Sequence, residues 1–124
     1  MTSSNITLTI AFTDPELDSE ELEAQAQNLL VQLKDLDEVE AVNRVLDPNP
    51  PAGNKAIGGI LVGLLTAEVS VSNFKTVCGF LGDRLGNKPI ELEVEANGKK
   101  LKVKANSQAE LAAVIKAAQD FISV

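Results

Sequence analysis

The chain has 124 residues and a formal net charge of −7, and its 44% hydrophobic and 23% charged residues fit a folded globular protein better than a disordered one. Histidine, tyrosine and tryptophan do not occur, which removes the commonest general base, the commonest metal ligand and the best base-stacking side chains. The excess of acids disfavours nucleic acid as a partner, because affinity for nucleic acid comes mostly from neutralising phosphates. We therefore predict a single α+β domain over residues 1–124 that does not bind nucleic acid.

The single cysteine, Cys78, cannot form an internal disulfide. It lies on the apolar stripe of a predicted helix, and the chain has no histidine to activate it, so we expect an inert core thiol. Residues 1–5 show no basic run before an apolar core, so no secretory signal is visible and we expect a cytoplasmic protein.

The first half of the chain predicts a strand, a helix and a second strand. Apolar and polar residues alternate over residues 5–13, which is typical of a half-buried strand. An apolar stripe over residues 16–35, with a capping pair at Asp18 and Glu21, predicts an amphipathic helix. Residues 39–46 are rich in valine and predict a short strand, and the prolines of residues 47–54 require a loop.

The next stretch predicts helical structure. Residues 56–67 are uncharged and apolar, and we interpret them as a buried helix. Apolar residues then recur at helical spacing from Phe74 to Leu85, which predicts a second helix that Gly86 and Pro89 end. One continuous helix would run about 43 Å at 1.5 Å per residue, too long for a chain of this size, so we expect a break near residues 67–72.

The clearest local pattern is a hairpin. Residues 90–96 and 99–105 alternate between apolar and charged residues on either side of Asn97-Gly98, a dipeptide that favours a tight hairpin turn. Counting outward from the turn places Glu95, Glu93 and Glu91 opposite Lys100, Lys102 and Lys104. A slip by one residue would place charges against the core, so this register is strongly preferred.

Ser107 and Glu110 form a capping pair before a last apolar stripe, which predicts a helix from Ser107 to Ile122. The predicted element order is β-α-β-(αα)-β-β-α. Because the strands carry only one apolar face, we predict a single four-stranded sheet that helices cover on one side.

The predicted helix over residues 56–67 provides the candidate site. Gly59 and Gly63 have the small-xxx-small spacing that lets another backbone approach closely. A helix that is apolar on all sides needs cover on all sides, and so small a fold supplies little of it. We therefore predict that Gly59, Ile60, Gly63 and Leu64 form a surface for self-association or a protein partner. The Lys-Ser or Lys-Thr of a phosphate-binding loop does not follow these glycines.

Other interpretations of the sequence stay open. Residues 56–74 contain one charge, Glu68, and could associate with a membrane surface, although the uncharged run is too short to span one. The acids of residues 14–40 could attract a basic protein partner, but they lack the glycine turn of a calcium loop. A hydrolase that works through Ser, Asp and Lys groups is a third alternative. From the residues alone we expect no catalytic residue, cofactor or metal.

The arrangement resembles a known family. A strand and an acidic helix precede a proline-rich connector, a glycine-bearing apolar segment, a second helix, an Asn-Gly hairpin and a closing helix. This pattern looks like the effector-associated constant component family of bacterial conflict systems. The stretches that carry the resemblance are residues 58–65, 74–85, 90–104 and 107–121.

The resemblance implies a non-enzymatic adaptor or sensor in an NTP-dependent immune or cell-death system. Its expected partner is an effector such as a trypsin-like or caspase-like peptidase, or another component of the NTPase system. A homo-oligomer is a further possibility, which follows from the predicted self-association surface and not from the resemblance.

Overall fold

The computed structural model of the protein describes residues 5–46, 60–96 and 98–122. Within these residues the chain forms five strands and three helices. Their bounds in chain order are β1 Asn5–Phe12, α1 Ser19–Lys34, β2 Val39–Leu46, β3 Ile60–Ser70, α2 Val71–Arg84, β4 Ile90–Ala96, β5 Lys99–Ala105 and α3 Gln108–Ile122.

The five strands form one sheet in the order β2-β3-β1-β4-β5, and every neighbouring pair is antiparallel. The predicted α+β class is therefore confirmed. The predicted strand number of four is wrong, because the segment expected to form an apolar helix supplies a fifth strand, β3.

The described part of the predicted helix over residues 56–67 is a strand. From Ile60 onward the chain runs as β3 between β1 and β2, and the helical part begins only at Val71. The physical reason is that a central strand has both edges paired and one face against the core, so its sequence needs little polar surface. The expected break near residues 67–72 is the change from strand to helix. Residues 56–59 and the predicted loop at 47–54 lie outside the described residues.

The core lies between one face of the sheet and the three helices. The alternation that predicted β1 is confirmed, because Ile6, Leu8 and Ile10 are almost completely buried while the residues between them are partly exposed. Leu33 of α1 and Val77 of α2 are fully buried against this face. The central strands and the helices therefore share one hydrophobic cluster.

The predicted helix starts are largely confirmed. The amide of Glu21 donates to the Asp18 carboxylate at 2.8 Å, and the amide of Asp18 donates to the Glu21 carboxylate at 3.0 Å, so α1 has a complete capping box. At α3 the amide of Glu110 donates to the Ser107 hydroxyl at 3.2 Å. The Glu110 carboxylate, however, accepts from the amide of Asn106, one residue earlier than a capping box requires.

The hairpin forms in the predicted register. Glu95, Glu93 and Glu91 lie opposite Lys100, Lys102 and Lys104 in turn, and Ile90 lies opposite Ala105. Gly98 has a φ of +78°, a conformation that residues of an Asn-Gly hairpin turn adopt and that glycine reaches without strain.

Candidate interaction surface

The structure separates the residues that were predicted to form a docking helix. Gly59 lies outside the described residues, and Ile60 begins β3. Gly63 is buried within the sheet, and Leu64 is half-buried on the opposite side of the strand. The prediction of a helical docking surface is therefore wrong over the described residues, because a strand places successive side chains on opposite faces.

Gly63 lies in an irregular stretch of β3. Arg44 of β2 lies opposite Leu65, whereas Leu46 lies opposite Ile60, so β3 carries more residues than β2 between these two pairs. Such extra residues form a bulge. Gly63 takes a φ of +76° there, and a β-carbon at this position would lie 3.4 Å from the Leu22 β-carbon. The glycine thus allows the backbone of the bulge to adopt this conformation.

Arg44 and Glu23 hold this bulge in place. The Arg44 side chain is 12% exposed, and both of its terminal nitrogens pair with the Glu23 carboxylate, with 2.6 Å between Nη2 and Oε1. The same guanidinium donates from Nε to the Leu64 carbonyl at 2.9 Å and from Nη2 to the Leu61 carbonyl at 3.3 Å. The Glu23 carboxylate also accepts from the Gly63 amide at 3.2 Å. We call this set the Arg44–Glu23 clamp.

The clamp controls the ionisation of Glu23. The hydrogen bond from Arg44 lowers the pKa of Glu23 below its ordinary value near 4.5; partial burial opposes this shift, and the Gly63 amide adds to it. The carboxylate therefore stays charged in the folded protein to a lower pH than in the unfolded chain.

The position of Arg44 in β2 is a sequence signal for the clamp. Arg44 follows Val42 by two residues in a strand, and residues two apart share a face. A cation on the same face as a buried valine requires a carboxylate nearby. The fold brings two residues of α1 to the Arg44 guanidinium, Glu23 and Gln27, which lie one helical turn apart.

The side of the sheet opposite the helices carries ordered charge. We call this side the open face, because the described helices all pack against the other side, where the strands bury their apolar residues. Its residues, in the order of the strands across the sheet, are Ala41 and Asn43 of β2; Leu64, Thr66 and Glu68 of β3; Thr7, Thr9 and Ala11 of β1; Glu91, Glu93 and Glu95 of β4; and Lys100, Lys102 and Lys104 of β5.

Strand pairing aligns the open face in rows. One row runs from Asn43 through Thr66, Thr9 and Glu93 to Lys102. The rows on either side of it end in the same way, with a glutamate on β4 and a lysine on β5. The open face therefore has a threonine-bearing half with little charge, then a stripe of negative charge, then a stripe of positive charge at the sheet edge.

The two charged stripes pair diagonally. Lys100 Nζ lies 3.5 Å from the Glu93 carboxylate, and Lys102 Nζ lies 3.7 Å from the Glu91 carboxylate, although each lysine directly faces a different glutamate. These lysine side chains are 60% and 63% exposed. Exposed pairs of this kind contribute only about 0.2–1 kcal/mol each, so the fold depends little on the charges of the open face.

Cys78 is a buried thiol, as predicted. It is 1% exposed between α2 and the rest of the core, and burial raises its pKa to about 12. We expect Cys78 to react with a disulfide reagent at neutral pH only as fast as the protein unfolds, and to react at once in denaturant. Labelling as fast in the native protein as in denaturant would contradict this placement.

A serine and a lysine share an exposed helix start. Ser72 and Lys75 have the Ser-x-x-Lys spacing and are both exposed near the beginning of α2. The Ser72 hydroxyl lies 3.2 Å from the Ser70 hydroxyl. Both side chains are exposed, so this surface gives them no enclosed site in which to orient a substrate.

Three further observations bear on the class of protein. Within residues 5–46, 60–96 and 98–122, no three cysteine, aspartate or glutamate side chains lie close enough together to hold an ion. None of the described helices has the length and apolarity needed to cross a membrane. Comparison with protein-family models, curated proteins and solved structures returned no match. The resemblance to the effector-associated constant component family accordingly stays a prediction.

Proposed function

We propose that the protein is a non-enzymatic interaction component, an adaptor or sensor, of a bacterial conflict system. In this proposal it acts in the cytoplasm and associates with an effector such as a trypsin-like or caspase-like peptidase. The surface that it uses is the open face of the sheet, in place of the docking helix expected from the sequence.

The observation that supports this proposal is the ordered charge of the open face. Strand register fixes a stripe of glutamates beside a stripe of lysines at the spacing of adjacent strands, about 4.8 Å. A partner whose surface carries the opposite order of charges would face electrostatic potential of the opposite sign along the whole length of both stripes. Such complementarity supplies specificity and fast association more than raw affinity, which suits an adaptor that must select one effector.

Membrane association through residues 56–74 is the alternative function. It requires the apolar side chains of this segment at the surface. Leu65, Ala67 and Val69 of β3 and Phe74 of α2 are instead almost completely buried in the core. Exposing these side chains would require the centre of the sheet to unfold, so we favour the adaptor function.

The sharpest test exchanges the two stripes while keeping their mutual pairing. In this variant Glu91, Glu93 and Glu95 are changed to lysine, and Lys100, Lys102 and Lys104 are changed to glutamate. The net charge and the cross-strand pairs are preserved, so we expect the thermal stability to stay within a few degrees of that of the unaltered protein. The pattern presented to a partner is reversed.

We expect the unaltered protein to capture a peptidase or NTPase-system component from a lysate of its host, and the exchanged variant to lose it. A matched control, which also preserves the net charge, changes Lys75 to glutamate and Asp83 to lysine, two exposed residues of α2, and should keep the partner. Recovery of the same proteins by the exchanged variant would contradict the role of the open face. Light scattering of both forms detects self-association separately.

A further inference from the structure

The outer edge of β5 has no neighbouring strand among the described residues. β5 lies at one end of the sheet, where it pairs with β4 alone. Leu92 and Val94 of β4 point toward the helices and are almost completely buried. Their partners on β5, Val103 and Leu101, point the same way but are only half-buried. The helical side of this edge therefore has apolar surface that a further strand would cover.

The hairpin geometry determines which backbone groups of β5 face this edge. In an antiparallel pair, residues that lie opposite each other alternate between pairs that exchange both backbone hydrogen bonds and pairs that exchange none. The pair that closes a two-residue turn, here Ala96 and Lys99, is a hydrogen-bonded one. Counting from this pair, the backbone N–H and C=O groups of Lys100, Lys102 and Lys104 point away from β4 and toward the outer edge.

The same three lysines determine which strand this edge can accept. Lys100 and Lys102 each pair with one glutamate of β4, yet both side chains remain mostly exposed. The β5 strand of a second copy would place lysine beside lysine, and edge lysines are a common device against such pairing. A strand with carboxylates at alternate positions would instead place opposite charges side by side. The charge of the edge therefore favours an acidic strand over a second copy of β5.

We propose that the outer edge of β5 binds an extended segment of a partner protein in which acidic residues alternate with apolar ones. The segment adds to the sheet as a further antiparallel strand. Its acidic residues lie opposite Lys100, Lys102 and Lys104 and exchange backbone hydrogen bonds with them. The apolar residues between them point to the helical side and cover Leu101 and Val103.

The other edge of β5 already accepts this pattern. β4 has the sequence Ile-Glu-Leu-Glu-Val-Glu-Ala, and its glutamates lie opposite the same three lysines. The inference goes beyond the proposed function, because it concerns the edge of the sheet and stands even if the open face binds no effector.

The test is an NMR titration with the blocked peptide acetyl-Ile-Glu-Leu-Glu-Val-Glu-Ala-amide, which has the sequence of β4. We expect the peptide to shift the backbone amide signals of Lys100, Lys102 and Lys104, while the hydrogen bonds between β4 and β5 stay protected from exchange. Replacing the three glutamates of the peptide by glutamine should weaken binding by about tenfold, because three ion pairs are lost.

Backbone methylation of the peptide separates strand addition from attraction between charges. The N–H groups of its glutamates face β5, so methyl groups on these three nitrogens should abolish binding. The N–H groups of its leucine and valine point away from β5, so methyl groups there should change the affinity by less than about threefold. Both methylated peptides carry the same charge.

Matched variants locate the site. Changing Lys100, Lys102 and Lys104 together to glutamine should weaken binding of the glutamate peptide by about tenfold. The control is Lys75→Gln, which removes an exposed cation from α2 and should leave binding unchanged.

Four results would overturn the proposal: no shift up to about 10 mM peptide, equal binding of the glutamate and glutamine peptides, equal effects of the two methylation patterns, or displacement of β4 by the peptide. These results are separate from the capture of an effector from a lysate, so the two proposals can fail independently.

Discussion

Gly63→Leu is expected to destabilise the protein by about 2–5 kcal/mol. The backbone at this position has a φ of +76°, which costs a residue with a side chain about 1–2 kcal/mol. A β-carbon would already touch the Leu22 side chain at 3.4 Å and the Phe12 carbonyl at 3.5 Å, so the rest of a leucine must push α1 away from the sheet. Gly63→Ala should cost only the backbone part, about 1–2 kcal/mol. Urea unfolding measures both changes in the free energy of unfolding, on condition that this free energy falls with urea concentration at the same slope in all the proteins compared.

Gly79 provides the matched control for Gly63. It lies in the interior of α2 and is exposed, and a β-carbon added there would meet no atom within 4 Å outside the backbone of its own helix. Gly79→Ala should therefore stabilise the protein by up to about 1 kcal/mol through helix propensity. A Gly63→Leu variant as stable as the unaltered protein, with changed partner capture, would contradict the buried bulge and restore Gly63 as a docking residue.

Arg44→Met is expected to destabilise the protein by about 2–4 kcal/mol. The change leaves the Glu23 carboxylate without its cation and the carbonyls of Leu61 and Leu64 without their donor. Glu23→Gln should cost less, because an amide oxygen can still accept one bond from Arg44 and one from the Gly63 amide. The double variant should lose less stability than the two single changes added together, since both disrupt the same clamp.

The clamp also predicts a dependence on pH. The pKa of Glu23 is lower in the folded protein than its ordinary value near 4.5, so the contribution of the clamp is complete above that pH. It is lost as the pH falls through the lowered pKa. The unaltered protein should therefore lose stability more steeply on acidification than Glu23→Gln, which has no carboxylate to protonate at this position.

The control for the clamp is Lys102→Met. It removes a cation that is 63% exposed and pairs with Glu91 on the open face, and it should change stability by only a few tenths of a kcal/mol. If Arg44→Met changed the stability as little as Lys102→Met, the clamp would not hold the bulge. Parallel acid denaturation of the unaltered protein and Glu23→Gln would contradict the lowered pKa.

Local patterns predicted most of the elements. The hairpin register followed from the turn and from charge alternation, because a slip by one residue would bury lysines or glutamates. The start of α1 followed from Asp18 and Glu21, whose side chains satisfy backbone amides within the same turn. These features depend on residues close together in the sequence, and such interactions can be predicted without knowing the fold.

The strand β3 was missed because its pattern is ambiguous. The apolar run before Thr66 has no clear alternation, and the bulge at Gly63 interrupts the period of two where it would be most visible. A short apolar run of this kind fits a buried strand and a buried helix equally well. The strand is central because β1 and β2 pair with it from both sides, and that pairing depends on residues far apart in the chain.

The candidate site was not predicted from the sequence. The predicted docking residues were Gly59, Ile60, Gly63 and Leu64, whereas the paired charges of β4 and β5 followed from the hairpin register and were not predicted to form a site. The clamp joins Glu23, Arg44 and Gly63 from three elements. These residues have no characteristic spacing in the sequence, because they meet only when α1 packs on the sheet.

Hydrogen–deuterium exchange with the captured partner tests the role of the open face most directly. With the effector bound, we expect slower exchange in the β4–β5 hairpin, residues 90–105, and unchanged exchange in α3. Slower exchange confined to the helices, or no difference between the free and the bound protein, would contradict an adaptor that recognises its partner through the charged stripes of the sheet.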